Sequence, residues 1–139
     1  MLNVTKKNGP VNRERNLIMS EKKLGAVELK FAELVWANAP ISSTELVRLC
    51  AKELGWKKST TYTVLKKHCD RGLFQNEDAI VRVVKTRADY ERDQSTQFVE
   101  ETFGGSLPAF LAAFTSGKPL TPQEAEEVRK MIDAFREET

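Results

Sequence analysis

The sequence predicts a mainly α protein with a small β-wing: three helices closed by a two-stranded hairpin, then a separate helical segment. Three observations predict it. Between Trp56 and Thr86 a helical pattern with lysines and hydroxyls on one face stops at Gly72, and two short strands follow at once. Charge divides along the chain: residues 1–87 carry 17 Lys and Arg against 9 Asp and Glu, a balance of +8, and residues 88–139 carry 5 against 11, a balance of −6. The chain then closes on Ala125, Val128, Ile132 and Phe135, a heptad-like seam of the kind that pairs helices.

Each element has a local reason. Residues 1–20 are polar, contain Gly9-Pro10 and show no periodicity, so they read as a flexible basic arm (Lys6, Lys7, Arg13, Arg15). Met19 opens a stretch that would itself serve as a start. Leu29, Ala32, Val35 and Trp36 recur at helical spacing and predict a first helix over 25–38, ended by Pro40, which disfavours helical geometry in the residue before it. Ile41 predicts a short strand. Ser42, with Glu45 three residues on, has capping-box spacing and opens a second helix that Gly55 closes. The third helix is predicted over 58–71. Strands over 73–77 and 80–86 then make a hairpin across Asn76 to Ala79, with Val81 and Val83 alternating with Arg82. Helices are predicted over 88–103, from the Ser106 cap to Gly117, and from Thr121, where Pro122 and Glu124 complete a strong start signal.

Bulk properties exclude several classes. At 40% apolar and 30% charged residues, the chain is globular rather than disordered. No apolar run approaches the roughly 20 residues that span a bilayer, and the first residues have no signal-like apolar core, so no membrane insertion is expected. Cys50 and Cys69 are the only cysteines, and both fall in helical patterns, which predicts reduced, packed thiols and a cytoplasmic setting. The motifs of phosphate-loop, zinc-peptidase and serine-hydrolase chemistry are missing, so no enzyme and no cofactor are expected. A metal needs three or four converging ligands. His68 and Cys69 are neighbours on a helix and point apart, so no metal site is expected. Trp36 and Trp56 are expected in the core.

The third helix divides into two faces. Thr61, Val64, Leu65, His68 and Cys69 share one; Ser59, Tyr62, Thr63, Lys66, Lys67 and Asp70 share the other. A helix in the major groove must offer polar side chains to base edges while its back packs on a small core. On that logic Tyr62 and Thr63 are the candidate base readers. Ser59, Thr60, Lys66 and Lys67 are candidate phosphate contacts, with Lys57, Lys58 and, on the wing, Arg82 and Lys85 reaching the flanking backbone. Folds do not fix functions, so a protein–protein adaptor with no DNA contact stays open as the alternative.

The stretches ELKFAELVWANAPISSTELV, GWKKSTTYTVLKKHCDRGLF, FGGSLPAFLAAF and LTPQEAEEVRKMI resemble the penicillinase-repressor family, in order and with matching spacing, over about 24–135. The most specific signals are the run Trp56, Thr60, Thr63, Leu65 and the Phe-Gly-Gly at Phe103. The resemblance implies a winged helix-turn-helix DNA-binding domain over residues 21–87 and a C-terminal helical dimerisation domain over 88–139. It implies a homodimeric transcriptional repressor on a palindromic double-stranded DNA operator, associated with the nucleoid. Phe98, Phe103, Phe110 and Leu111, with Phe114, Val128, Ile132 and Phe135, are the expected dimer core. The resemblance also implies induction by a membrane sensor metallopeptidase cutting before a phenylalanine, here between Ala113 and Phe114; the family's usual Asn is Ala113 in this chain. Lys57-Lys58 stands where the family commonly has Ser-Pro, and Tyr62 replaces a usual polar residue.

Overall fold

The computed structural model describes residues 23–138; the basic arm expected over residues 1–20 lies outside them. The chain divides into two compact units, the first running through Gln97 and the second from Phe98. The charge change suggests a boundary at residue 88, but the first turns of the following helix belong to the first unit. Tyr90 is buried there, and its hydroxyl accepts the backbone N–H of Leu24 at 2.8 Å.

The first unit runs α1 (Ala26–Asn38), β1 (Ile41–Ser42), α2 (Ser43–Leu54), α3 (Lys58–Asp70), β2 (Phe74–Glu77) and β3 (Ile80–Val83), then enters α4 (Arg87–Phe103). At α1 the Gly25 N–H donates to Glu28 Oε1 at 2.9 Å, satisfying one of the amides a helix start leaves unpaired. Ala39 is extended (φ −71, ψ 150), as a residue before proline must be. Ser42 Oγ accepts the Glu45 N–H at 3.1 Å and caps α2. The Glu45 carboxylate does not complete a capping box, because it pairs with Arg48 instead. Gly55 closes α2 in the left-handed region at φ 70, where a side chain would be strained.

The sheet has the order β1-β3-β2, antiparallel throughout. Ile41 pairs with Val81 and Phe74 with Val83, so the strand expected from Ile41 alone docks on the far strand of the hairpin. The second hairpin strand is shorter than the sequence suggests. Val84 and Lys85 both donate to the Leu73 carbonyl at 2.9 Å, which turns the chain away from the ladder. The hairpin turn places Asp78 and Ala79 at φ 52 and 62, the two-residue mirror-image turn whose twist suits a hairpin.

Phe31 lies at the centre of the core. It stacks on Trp56 (5.8 Å), meets His68 edge-on (4.8 Å) and meets Phe74 edge-on (6.4 Å). Leu46 and Cys50 from α2, and Thr61 and Leu65 from α3, complete the layer beside it. Trp36 is half-buried against Phe74 and Tyr90, and its indole N–H donates to the Lys85 carbonyl at 2.9 Å. Both tryptophans therefore serve packing.

His68, the only histidine, is 1% exposed. Its Nδ1 faces the Val64 carbonyl at 2.9 Å and its Nε2 the Glu28 carbonyl at 3.1 Å. A neutral ring carries one N–H and serves one carbonyl at a time. Burial pushes its pKa below the ordinary 6.5, with Arg71 adding to that shift and the two carbonyls and the Glu28 carboxylate opposing it. The unfolded chain therefore binds a proton that the folded chain resists. Stability from this group is fully present above about pH 6.5 and is lost as pH falls below it. Melting temperature should drop between pH 7.5 and pH 5.5, and His68→Gln, which keeps an N–H donor and cannot titrate, should flatten the drop. An unchanged slope in that variant would assign the acid sensitivity elsewhere.

The second unit comprises the end of α4, α5 (Leu107–Gly117) and α6 (Pro122–Phe135). Ser106 Oγ accepts the Ala109 N–H at 3.0 Å and starts α5. Thr121 and Glu124 form the full reciprocal capping box of α6, each bond at 3.0 Å. Phe98, Phe103, Phe110 and Phe114 form one aromatic cluster with ring centroids 5.7–6.1 Å apart. No described residue of this unit is buried.

Candidate nucleic-acid interface

α3 presents two chemically distinct sides. Thr61, Leu65 and His68 are buried beneath it, while Lys58, Ser59, Thr60, Thr63, Lys66 and Lys67 are exposed. The Thr61 hydroxyl finds no oxygen or nitrogen partner; the Cys50 thiol beside it is a weak one. Burial pushes both Cys50 and Cys69 thiols above their ordinary range, and the two are not bonded to each other. They are packing groups, not thiolates, at neutral pH.

The start of α3 departs from ordinary capping. Lys57 occupies the cap position with extended backbone and makes no side-chain cap bond. The first-turn amides of α3 thus have no side-chain acceptor there, and two exposed lysines flank them. An uncapped helix start with neighbouring cations is suited to an anionic oxygen.

The exposed cations differ in how freely they can move. Lys66 reaches Asp70 at 3.3 Å, but both side chains are largely in solvent, so the pair opens at little cost. Arg82 is exposed in mid-strand opposite Gln75. Lys85 is not part of this set. Its Nζ sits 2.6 Å from Asp93 Oδ2 in a partly buried pair, joining the end of the wing to α4. Its place on the wing, which suggests a nucleic-acid backbone contact, gives no sign of a carboxylate eight residues later.

Tyr62 also differs from its expected setting. It is half-buried, and its hydroxyl donates to Ser43 Oγ at 3.2 Å. Ser43, which sequence reasoning passed over, is buried at the start of α2, and its backbone N–H donates to the Ala79 carbonyl at 2.9 Å. One residue therefore ties α3 to the hairpin turn. The doubled serine at 42 and 43 was the only local signal, and it identifies the cap alone.

Ala113 and Phe114 lie inside α5, both exposed. The helix around them carries extra side-chain bonds, from Thr115 Oγ1 to the Leu111 (2.7 Å) and Ala112 (3.4 Å) carbonyls and from Ser116 Oγ to the Ala113 carbonyl (2.8 Å). Among the described residues no group of three or more His, Cys, Asp or Glu is placed to hold a metal, and no helix is long and apolar enough to cross a membrane.

Three helices in this order, with a polar, cation-bearing third helix followed at once by a β-hairpin, define a winged helix-turn-helix. A sequence profile described as penicillinase repressor matches residues 24–134. The chain belongs to the penicillinase repressor family, whose members are transcriptional regulators rather than enzymes. No curated protein sequence matches it closely enough to count as a relative.

Proposed function

We propose that this protein is a homodimeric repressor that inserts α3 into the major groove of duplex DNA and lays its wing along the flanking backbone, twice per operator. The observation that carries this reading is the division of α3: a back with Thr61, Leu65 and His68 buried and an outward face of Ser59, Thr63, Lys66 and Lys67 beside the uncapped helix start. Exposed Thr63 and half-buried Tyr62 are the candidates for base contact. Lys57, Lys58, Ser59, Thr60, Lys66, Lys67 and Arg82 position the helix by phosphate contact. The dimer reading rests on the second unit, which buries none of its described residues in a single chain and leaves Phe98, Phe114, Ile132 and Phe135 about half exposed or more. A two-fold dimer would present two reading helices to a near-palindromic site. Induction by cutting Ala113–Phe114, as the family resemblance implies, would require local unwinding of α5, because peptidases favour exposed loops over hydrogen-bonded helix.

Duplex binding measured by fluorescence anisotropy against salt tests the reading. Affinity should fall steeply as salt rises, and Lys66→Ala with Lys67→Ala should reduce the logarithmic slope by about 3.6, since each of the two subunits loses two phosphate contacts and each contact contributes about 0.9. Both lysines are exposed, so the fold should survive. No duplex affinity at low salt, or an unchanged slope, would refute the proposal and favour a protein-binding adaptor.

A further inference from the structure

We infer that Ser43 is a specificity-determining residue: by taking the phenol proton of Tyr62 it leaves Tyr62 only acceptor lone pairs to present to DNA, which selects bases that offer an exocyclic amine. The inference rests on the DNA-binding reading above and deepens it.

The geometry is specific. Ser43 is 5% exposed, and the Tyr62 hydroxyl reaches its Oγ at 3.2 Å from a different helix. The bond runs from tyrosine to serine for a chemical reason. A phenol, with pKa near 10, is a better donor than an alkyl hydroxyl, and an alkyl hydroxyl oxygen, undiminished by ring delocalisation, is the better acceptor. Ser43 itself is fixed by its backbone bond to Ala79 and by its place as the first residue of α2, so the acceptor does not wander. Tyr62 is not sealed off. It lines an open groove of about 420 Å³ with Leu65, Lys66, Cys69 and Asn76, between α3 and the hairpin.

A tyrosine with a free hydroxyl donates or accepts and discriminates poorly. With its one proton committed inward, it accepts only. In the major groove, adenine N6 and cytosine N4 donate, whereas guanine O6 and N7 and thymine O4 accept. The committed phenol therefore favours adenine or cytosine at the position it faces. Ser43 acts through Tyr62 and touches no base itself, so it is a positioning residue.

Selection from a pool of randomised duplexes with the full chain tests this, with salt dependence measured in parallel. The unaltered protein should enrich adenine or cytosine at one position of each half-site. Ser43→Ala frees the proton, and the preference there should fall by about three- to tenfold and shift toward guanine or thymine, the range expected for one hydrogen bond. Tyr62→Phe should make the position indifferent, and Ser43→Thr, which keeps a hydroxyl, should restore the preference. Salt slopes should match in all four proteins, because no phosphate contact changes. A Ser43→Ala protein with the original preference, or a Ser43→Thr protein that behaves like Ser43→Ala, overturns the inference. If the unaltered chain holds no duplex at low salt, the DNA-binding reading has failed and this inference falls with it.

Discussion

Phe31→Ala should destabilise the first unit by about 3–5 kcal/mol, the range for deleting a fully packed aromatic ring. Phe31 is completely buried and is the one ring that touches Trp56, His68 and Phe74 together, drawing on α1, α3, β2 and the loop before α3. Its removal opens a cavity that rigid neighbours cannot fill, because His68 is held between two carbonyls and Trp56 follows the left-handed turn at Gly55. A loss of that size is a large fraction of the 5–15 kcal/mol typical of a domain. Thermal unfolding followed by circular dichroism should show a melting temperature lower by more than about 10 °C. Phe31→Leu should recover part of the loss, since it restores most of the apolar volume. A melting temperature within a degree or two of the original for Phe31→Ala would mean that this core is not what holds the unit together.

Phe31 also shows where a sequence stops being legible. The stripe Leu29, Ala32, Val35, Trp36 finds α1 but not its central residue. Apolar side chains occur all round this helix, at Leu29, Phe31, Ala32, Leu34, Val35 and Trp36, so spacing alone does not choose a face. Features set by near neighbours came through well. The cap oxygens of Ser42, Ser106 and Thr121 each accept the N–H three residues on, because a cap closes within three residues, although at Ser42 the Glu45 carboxylate turns to Arg48 and leaves the capping box half made. The stop at Gly55 came through for the same reason. Features set across the fold did not. The pairing of β1 with β3 joins residues about forty positions apart, and neither strand's composition names the other. In the candidate interface the exposed lysines of α3 followed from helical periodicity. The withdrawal of Lys85 to Asp93 and the anchoring of Tyr62 on Ser43 depend on side-chain directions that only packing decides.

Ile132→Asp with Phe135→Asp should convert the proposed dimer to a monomer without unfolding the chain. In a single chain these side chains are 56% and 79% exposed, so a carboxylate there would cost little, within the few tenths of a kcal/mol usual for surface changes. If a second copy covers them, the cost is of another order. Each large apolar side chain buried contributes about 1.5–3 kcal/mol, and two-fold symmetry counts every substitution twice. For either substitution alone that is about 3–6 kcal/mol, a rise in dissociation constant of roughly a hundred- to ten-thousandfold. The composition of the second unit calls for a covering partner. α6 sets Val128, Met131, Ile132 and Phe135 along its length, yet no described residue from Phe98 onward is buried in one chain. A helical segment with that much apolar surface left in water would expose a patch that monomeric proteins rarely tolerate. Sedimentation should therefore give twice the 15.7 kDa chain mass for the unaltered protein and the single-chain mass for the variant, with helical content retained. Operator binding should weaken in step, because two linked reading helices share one site and a separated helix must bind alone. A monomeric unaltered chain, or a variant that stays dimeric, would remove the pairing from the proposed mechanism and leave the first unit to bind DNA singly.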